Sequence, residues 1–209
     1  MQIEIFSDVI CLWCYVGFAR LERALAARPD VSAEVHWLPF ELNPTMPAAG
    51  RNRLEYLRER FGNDNPFGDA QQDLQTLGAE LGIDFQFDRI ERSPNTRRAH
   101  MLIAWAGRNG HQVAVKRALL AAYFSHGLDI GDPDILANVA QECGLDRNDA
   151  ALALNDAGLA GEVERLEAMG RSWNISGVPT FIFERRVAFS GAQPDAVFQQ
   201  VFDELNAKA

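Results

Sequence analysis

The chain has 209 residues and a formal net charge of −9 at pH 7, with 47% hydrophobic and 23% charged residues. This is ordinary globular composition, long enough to bury a substantial core. The acidic balance argues against a nucleic acid or an anionic membrane as partner, and no apolar run approaches the roughly 20 residues that span a bilayer.

The first 48 residues predict a strand–helix–strand unit. The apolar and mostly β-branched residues Ile3, Ile5, Phe6 and Val9 predict a buried strand there. A helix is predicted from near Cys11 to residue 27, and Pro29 stops it. Residues 33–38 alternate and predict a second strand. Because no Lys or Arg precedes Arg20, the N-terminus lacks the basic region of a secretory signal, and we expect a cytoplasmic protein.

Residues 49–174 have the periodicity of helices, and no strand is predicted among them. Apolar residues recur three and four positions apart within residues 54–61, 74–81 and 99–106, which predicts a helix in each range. Asp132 followed by Pro133 predicts a helix start, and Asp146 predicts another. We expect Trp37, Trp105 and Trp173 in the core.

The last segment returns to strands. Two short β-rich runs at 180–183 and 187–190 predict a hairpin, although its turn contains no Gly or Asn. A final helix follows Pro194. The order βαβ, helices, ββα predicts an α/β chain with a thioredoxin-like fold and a large all-helical insertion. The thioredoxin-like domain would comprise residues 1–48 and 175–209, and the insertion residues 49–174.

Cys11 and Cys14 form a C-x-x-C pair at a strand-to-helix junction, a context that favours redox chemistry. The free N–H groups at a helix start stabilise a thiolate, so Cys11 is the predicted nucleophile. Cys14, one turn later, can attack a mixed disulfide at Cys11 and resolve it. A zinc site is the alternative, but zinc needs four ligands, and neither Cys143 nor the four histidines has ligand spacing. We therefore predict no metal.

The segment before the third predicted strand contains a second marker, Val178-Pro179. A cis X–Pro bond normally marks a tight functional turn. Such a bond beside the cysteines would leave the backbone of Val178 free to bind a substrate strand. An ordinary trans proline at a strand start is the alternative.

The sequence resembles the DsbA family of thioredoxin-like oxidoreductases, and its FrnE-like branch in particular. The segment 8–17, DVICLWCYVG, resembles the active-site signature D-x-x-C-P-W-C-x-x-G, and 177–181, GVPTF, resembles the cis-proline segment. Further similar segments spread the resemblance over nearly the whole chain. It implies a cis bond before Pro179 and a dithiol–disulfide reaction at Cys11 and Cys14.

One position departs from this signature. The family usually has Pro before the Trp, and this chain has Leu12. Leucine keeps an N–H that proline lacks. We expect this amide to donate to the Cys11 thiolate and to alter the redox potential.

Lesser candidates surround the cysteines. Trp13 could contact substrate, or could pack on the insertion. Cys143 is predicted to be a buried small hydrophobe, and His100 a structural histidine. Asp8 and Glu41 could shuttle protons near the thiols, or could serve capping and packing.

We expect a cytoplasmic thiol–disulfide oxidoreductase that needs no metal or cofactor. Its partners would be protein or peptide thiols and disulfides, with glutathione as a possible co-substrate or the thioredoxin system as electron partner. One alternative is a glutathione-dependent isomerase or transferase similar to 2-hydroxychromene-2-carboxylate isomerase, although such relatives typically have Ser in place of Cys11. The other is a chaperone-like module that binds peptides in an apolar cleft.

Overall fold

The computed structural model describes residues 1–63, 68 and 70–207. The strands are β1 (Gln2–Ser7), β2 (Glu34–Pro39), β3 (Arg51–Asn52), β4 (Arg92–Ser93), β5 (Thr180–Phe183) and β6 (Val187–Ser190). The helices are α1 (Leu12–Ala26), α2 (Arg53–Phe61), α3 (Ala70–Glu80), α4 (Arg97–Arg108), α5 (Gln112–Phe124), α6 (Pro133–Glu142), α7 (Arg147–Ala153), α8 (Ala157–Ser172) and α9 (Asp195–Asn206).

The central sheet has the strand order β2-β1-β5-β6. Strands β1 and β2 are parallel and are connected through α1, with Ile3 opposite Val35. Strand β5 runs antiparallel to β1, with Phe181 opposite Ile5, and β6 completes the edge. This arrangement confirms the predicted α/β, thioredoxin-like fold with a helical segment between its halves. The domain boundaries at residues 48/49 and 174/175 stay a prediction.

One hydrophobic core joins the sheet to the helical segment. It includes Ile5 and Phe181 from the sheet together with Phe85, Leu102 and Leu119 from the segment between β2 and β5. The two parts therefore bury apolar surface against each other, so the helices hold a fixed position over the sheet. No helix in the described part of the chain is both long enough and apolar enough to cross a bilayer.

The prediction that residues 49–174 contain no strand is wrong. Strands β3 and β4 pair antiparallel, with Arg51 opposite Ser93. Each has only two residues, too few to show an alternating pattern. The pair fixes the start of α2, because the Arg53 N–H donates to the Glu91 carbonyl at 2.9 Å.

The prediction that Trp173 lies in the core is also wrong. Its side chain is 42% exposed at the C-terminal end of α8, where its ring contacts the edge of Phe6. Gly170 occupies the inner position, since a Cβ there would lie 2.6 Å from Phe6 Cε1. Trp37 is buried as predicted, and Trp105 is partly buried.

The hairpin turn adopts backbone angles that usually favour Gly or Asn. Glu184 and Arg185 have φ of 50° and 52°, and the Arg186 N–H donates to the Phe183 carbonyl. Positive φ at both central residues defines a type I′ turn. Arg185 also donates two hydrogen bonds to the carboxylate of Glu4, at 3.0 and 2.7 Å. This tertiary ion pair stabilises the turn.

Candidate active site

Cys11 lies at the open N-terminus of α1. It is the N-cap residue, with extended backbone angles, and its carbonyl accepts from the N–H groups of Cys14 and Tyr15. The pKa of the Cys11 thiol is lowered, chiefly by a hydrogen bond from the Cys14 side chain and further by the backbone N–H groups of Cys14 and Trp13. Burial and the negative charge of Asp8 oppose this shift without cancelling it.

Leu12 is the first residue of α1, directly after the nucleophile. The backbone N–H groups that lower the pKa of Cys11 belong to Cys14 and Trp13. Leu12 instead contributes a buried side chain, 7% exposed, to the core and to the cavity wall beside Cys11. The expectation that its amide donates to the thiolate stays a prediction.

Cys14 is fully buried directly behind Cys11. Burial raises the pKa of its thiol well above the usual value, and the adjacent Cys11 raises it further. Both cysteines are free thiols in this structure. The pair is therefore divided into one thiol with a lowered pKa and one with a raised pKa. This division is what a nucleophile and a resolving residue require.

The Val178–Pro179 peptide bond is cis, as the resemblance implies. It lies against the cysteines, because Cys11 Sγ is 3.6 Å from the carbonyl oxygen of Val178. Gly17 permits this approach, since a Cβ there would lie 3.1 Å from Pro179 Cγ. Among the described residues, no protein group accepts a hydrogen bond from the Val178 N–H. That donor is available to a bound chain.

A cavity of about 290 Å³ opens beside Cys11. Trp13, 45% exposed, stands at its rim, which makes it available for substrate contact. The cavity is lined by residues from five parts of the chain: Ile10, Cys11, Leu12, Trp13, Leu42, Asn43, Arg53, Tyr56, Leu57, Arg60, Phe61, Phe87, Ser93, Tyr123 and Phe124.

Asp8 belongs to a buried polar cluster behind the cysteines. One carboxylate oxygen accepts from the Val9 N–H and the other from the Leu42 N–H, both at 2.7 Å. His100 Nε2 lies 3.3 Å from the first oxygen. Burial alone would raise the pKa of Asp8, but these interactions outweigh it and lower the pKa. Asp8 is therefore a fixed negative charge, and His100 is a structural partner as predicted.

The sequence analysis missed Lys116. Its side chain is 1% exposed, and its ammonium lies 5.1 Å above the centre of the Trp37 ring. Burial lowers the pKa of Lys116, while the nearby Cys14 and Asp8 act to raise it. Its positive charge in turn acts to lower the pKa of Cys14. A signal was present, because Lys116 precedes Leu119 and Leu120 at helical spacing and so lies on an apolar face.

A second, larger cavity reaches the same cluster from the opposite side. It has a volume of about 860 Å³ and lies between β2 and helices α4, α5 and α8. Ser7, His100 and Lys116 are among its lining residues.

Glu41 lies beside two other carboxylates. Its N–H donates to Glu167 Oε1 at 2.9 Å, and its own Oε2 is buried without a hydrogen-bond partner among the described residues. Burial, then the charges of Glu167 and Asp8, raise the pKa of Glu41 to about 7. Glu41 can therefore gain and lose a proton near neutral pH.

The remaining candidates are less suited to chemistry. Cys143 is partly buried against the core at the end of α6, and burial raises the pKa of its thiol. Within residues 1–63, 68 and 70–207, no three His, Cys, Asp or Glu side chains are grouped to hold a metal ion.

A family model described as the DSBA-like thioredoxin domain matches residues 2–203. The chain is also similar to the crystal structure of a probable DsbA oxidoreductase from Streptomyces coelicolor. The two share 31% identity over all of this chain and 91% of the other, with a TM-score of 0.91. The protein therefore belongs to the DSBA-like thioredoxin domain family. Its FrnE-like branch stays a prediction.

Two further structures share the fold at lower identity. 2-Hydroxychromene-2-carboxylate isomerase is 15% identical over all of this chain and 97% of its own, with a TM-score of 0.76. The cytosolic disulfide reductase DsbM from Pseudomonas aeruginosa, solved with GSH, is 18% identical over 99% of this chain and 100% of its own, with a TM-score of 0.72. The fold thus occurs in both oxidoreductases and an isomerase.

Proposed function

We propose that the protein is a cytoplasmic thiol–disulfide oxidoreductase that acts on protein or peptide disulfides and on glutathione. The observation that carries this proposal is the difference in thiol pKa between the two cysteines of the C-x-x-C pair. Cys11, at a helix start, has a lowered pKa, and the buried Cys14 has a raised one. A dithiol with this asymmetry performs exchange in a defined order.

In the reducing direction, the Cys11 thiolate attacks one sulfur of a substrate disulfide. A bond forms between Cys11 Sγ and that sulfur, and the other substrate sulfur leaves as a thiolate that takes up a proton. Cys14 then loses its proton and attacks Cys11 Sγ, which releases the second substrate thiol. The substrate gains two electrons and two protons, and Cys11 and Cys14 become a disulfide. The reverse sequence oxidises a dithiol.

The surroundings of the pair support each step. The free N–H of Val178 can bind an extended substrate beside Cys11, while Pro179 fixes the backbone there and Trp13 offers an apolar surface at the rim. The charge of Lys116 favours ionisation of Cys14 in the resolving step. No cofactor takes part in this scheme, and glutathione would act as co-substrate. The likeness to a reductase solved with GSH supports glutathione as a partner.

The two variants that remove one thiol each test the division of roles. With oxidised glutathione, Cys14→Ser should accumulate a stable mixed disulfide at Cys11, because the resolving attack is lost. Cys11→Ser should accumulate none, since Cys14 is buried and its pKa is raised. Mass spectrometry of the alkylated proteins measures both adducts. Equal trapping by the two variants would contradict the assignment.

The isomerase alternative draws on the shared fold, and the chaperone-like alternative on the partly apolar cavity beside Cys11. Both predict activity that survives replacement of Cys11 and Cys14 by serine. The oxidoreductase predicts that the double variant loses all disulfide reduction while it keeps its fold.

A further inference from the structure

One face of α2 forms a wall of the cavity beside Cys11. Arg53, Tyr56, Leu57 and Arg60 all line this cavity. Their spacing of three, four and seven residues places them on a single side of the helix. The two arginines are therefore two turns apart, about 10 Å along the helix axis.

Among the described residues, neither arginine has a carboxylate partner. In the described part of the protein, no carboxylate lies within 4.0 Å of either guanidinium, and no described lining residue is acidic. Arg51, just before the helix, shows the contrast, because it pairs with Glu59. Arg53 donates only to the hydroxyl of Tyr123, at 3.1 Å. In a chain of net charge −9, two arginines that have no ion pair with any described residue stand out beside the nucleophile.

The rest of the lining and the volume restrict the ligand. Most of the other side chains are apolar, among them Leu12, Leu42 and Phe124. A volume of about 290 Å³ is at the lower end of small-molecule sites, so the cavity fits a compact ligand. A disulfide with short methylene arms and a terminal carboxylate matches this combination of apolar wall and cation.

We propose that this cavity recognises low-molecular-weight disulfides that carry a carboxylate, and that Arg60 and Arg53 bind the carboxylate while Cys11 attacks the disulfide. The inference rests on the proposed function and names the substrate class of that same site. Arginine suits this role because its planar guanidinium can donate two parallel hydrogen bonds to a carboxylate.

The acidity of the whole chain does not oppose this recognition strongly. At physiological ionic strength the Debye length is about 8 Å, so distant carboxylates are largely screened. A guanidinium in direct contact with the ligand is screened much less. The local arginines should therefore decide the charge preference of the site.

The test uses three small disulfides that differ in charge: dithiodipropionate (dianionic), hydroxyethyl disulfide (neutral) and cystamine (dicationic). The second-order rate constant for oxidation of the reduced protein is measured for each by quenched alkylation. Each value is divided by the rate constant for mercaptoethanol with the same disulfide, which removes intrinsic differences in reactivity. The remaining ratio reports recognition by the protein.

We expect the wild type to prefer the dianion over the dication by about tenfold, which corresponds to about 1.4 kcal/mol. Arg60→Gln should abolish most of this preference, because Arg60 is exposed and forms no ion pair with any residue that the structure describes. The matched control is Arg58→Gln, on the same helix but outside the cavity lining, and it should keep the preference. Added salt should weaken the preference in the wild type.

Three results would overturn the inference: equal normalised rates for the three disulfides, an unchanged preference in Arg60→Gln, or an equal loss in Arg58→Gln. The last would mean that total charge, and not the cavity, sets the preference. Failure of the wild type to react with any of the three would instead overturn the proposed function. The two failures are therefore distinguishable.

Discussion

Replacement of Glu41 by Gln should stabilise the protein at alkaline pH and have little effect near pH 5. Glu41 has a pKa of about 7 in the folded protein, because it is buried beside the carboxylates of Glu167 and Asp8. Its ordinary value is 4.5. The folded state therefore holds the proton more tightly than the unfolded state does.

The sign follows from proton linkage. Below pH 4.5 Glu41 is protonated in both states, and its contribution to stability is fully present. As the pH rises to about 7, the unfolded chain releases the proton first, so the free energy of unfolding falls. The full shift corresponds to about 3 kcal/mol. Because Glu41 is partly exposed and solvent screens its charge, we expect the free energy of unfolding to change by about half of this value.

Urea denaturation between pH 5 and pH 8.5 measures the effect. The free energy of unfolding of Glu41→Gln minus that of the wild type should rise with pH, by about 1.5 kcal/mol over this range. Glu167→Gln is the companion variant. This variant keeps a carbonyl oxygen that accepts from the Glu41 N–H, but it removes the neighbouring negative charge. Its free energy of unfolding should therefore fall less with rising pH than that of the wild type. A difference that stays constant across the range would refute the reasoning.

Two other substitutions test the electrostatics and the backbone. Lys116→Met removes a buried positive charge that favours ionisation of Cys14. Release of glutathione from the mixed disulfide should slow by about threefold or more at pH 7, because the resolving attack follows the thiolate fraction. An unchanged release rate in a mass-spectrometric time course would contradict this. Gly127→Ala should destabilise by more than about 2 kcal/mol in urea denaturation, since φ is +68° and the new Cβ would lie 2.3 Å from the Arg89 carbonyl oxygen. Gly62 has a similar φ, and no described atom lies within 4 Å of a Cβ placed there, so Gly62→Ala should lower the free energy of unfolding by only about 1 kcal/mol. Equal losses in the two variants would show that the clash at residue 127 contributes nothing.

Features that depend on local pattern were predictable from the sequence. Hydrophobic spacing predicted helices around residues 54–61, 74–81 and 99–106, and the structure confirms them. Asp132 and Asp146 cap their helices as predicted, each accepting from backbone N–H groups. The cysteine pair and the cis bond before Pro179 followed from motifs, because the chemistry fixes residue type and spacing there.

Features that depend on tertiary contacts were not predictable. The type I′ turn at Glu184 and Arg185 lacks the usual Gly or Asn, and the ion pair with Glu4 that supports it lies 181 residues away. Trp173 looked like a core residue, but Gly170 leaves the inner space to Phe6.

The chemistry of the site is divided between the two parts of the fold. The thioredoxin-like part supplies the nucleophile at the start of α1 and the cis bond before Pro179, which define the exchange reaction. The helical segment supplies His100 and Lys116, which are buried behind the two cysteines, and Arg60, which lines the cavity beside them. Thiol pKa values respond to neighbouring charge, and both redox potential and attack rate follow those values. Substitutions in the helical segment should therefore tune potential and substrate preference, while the order in which Cys11 and Cys14 react stays the same.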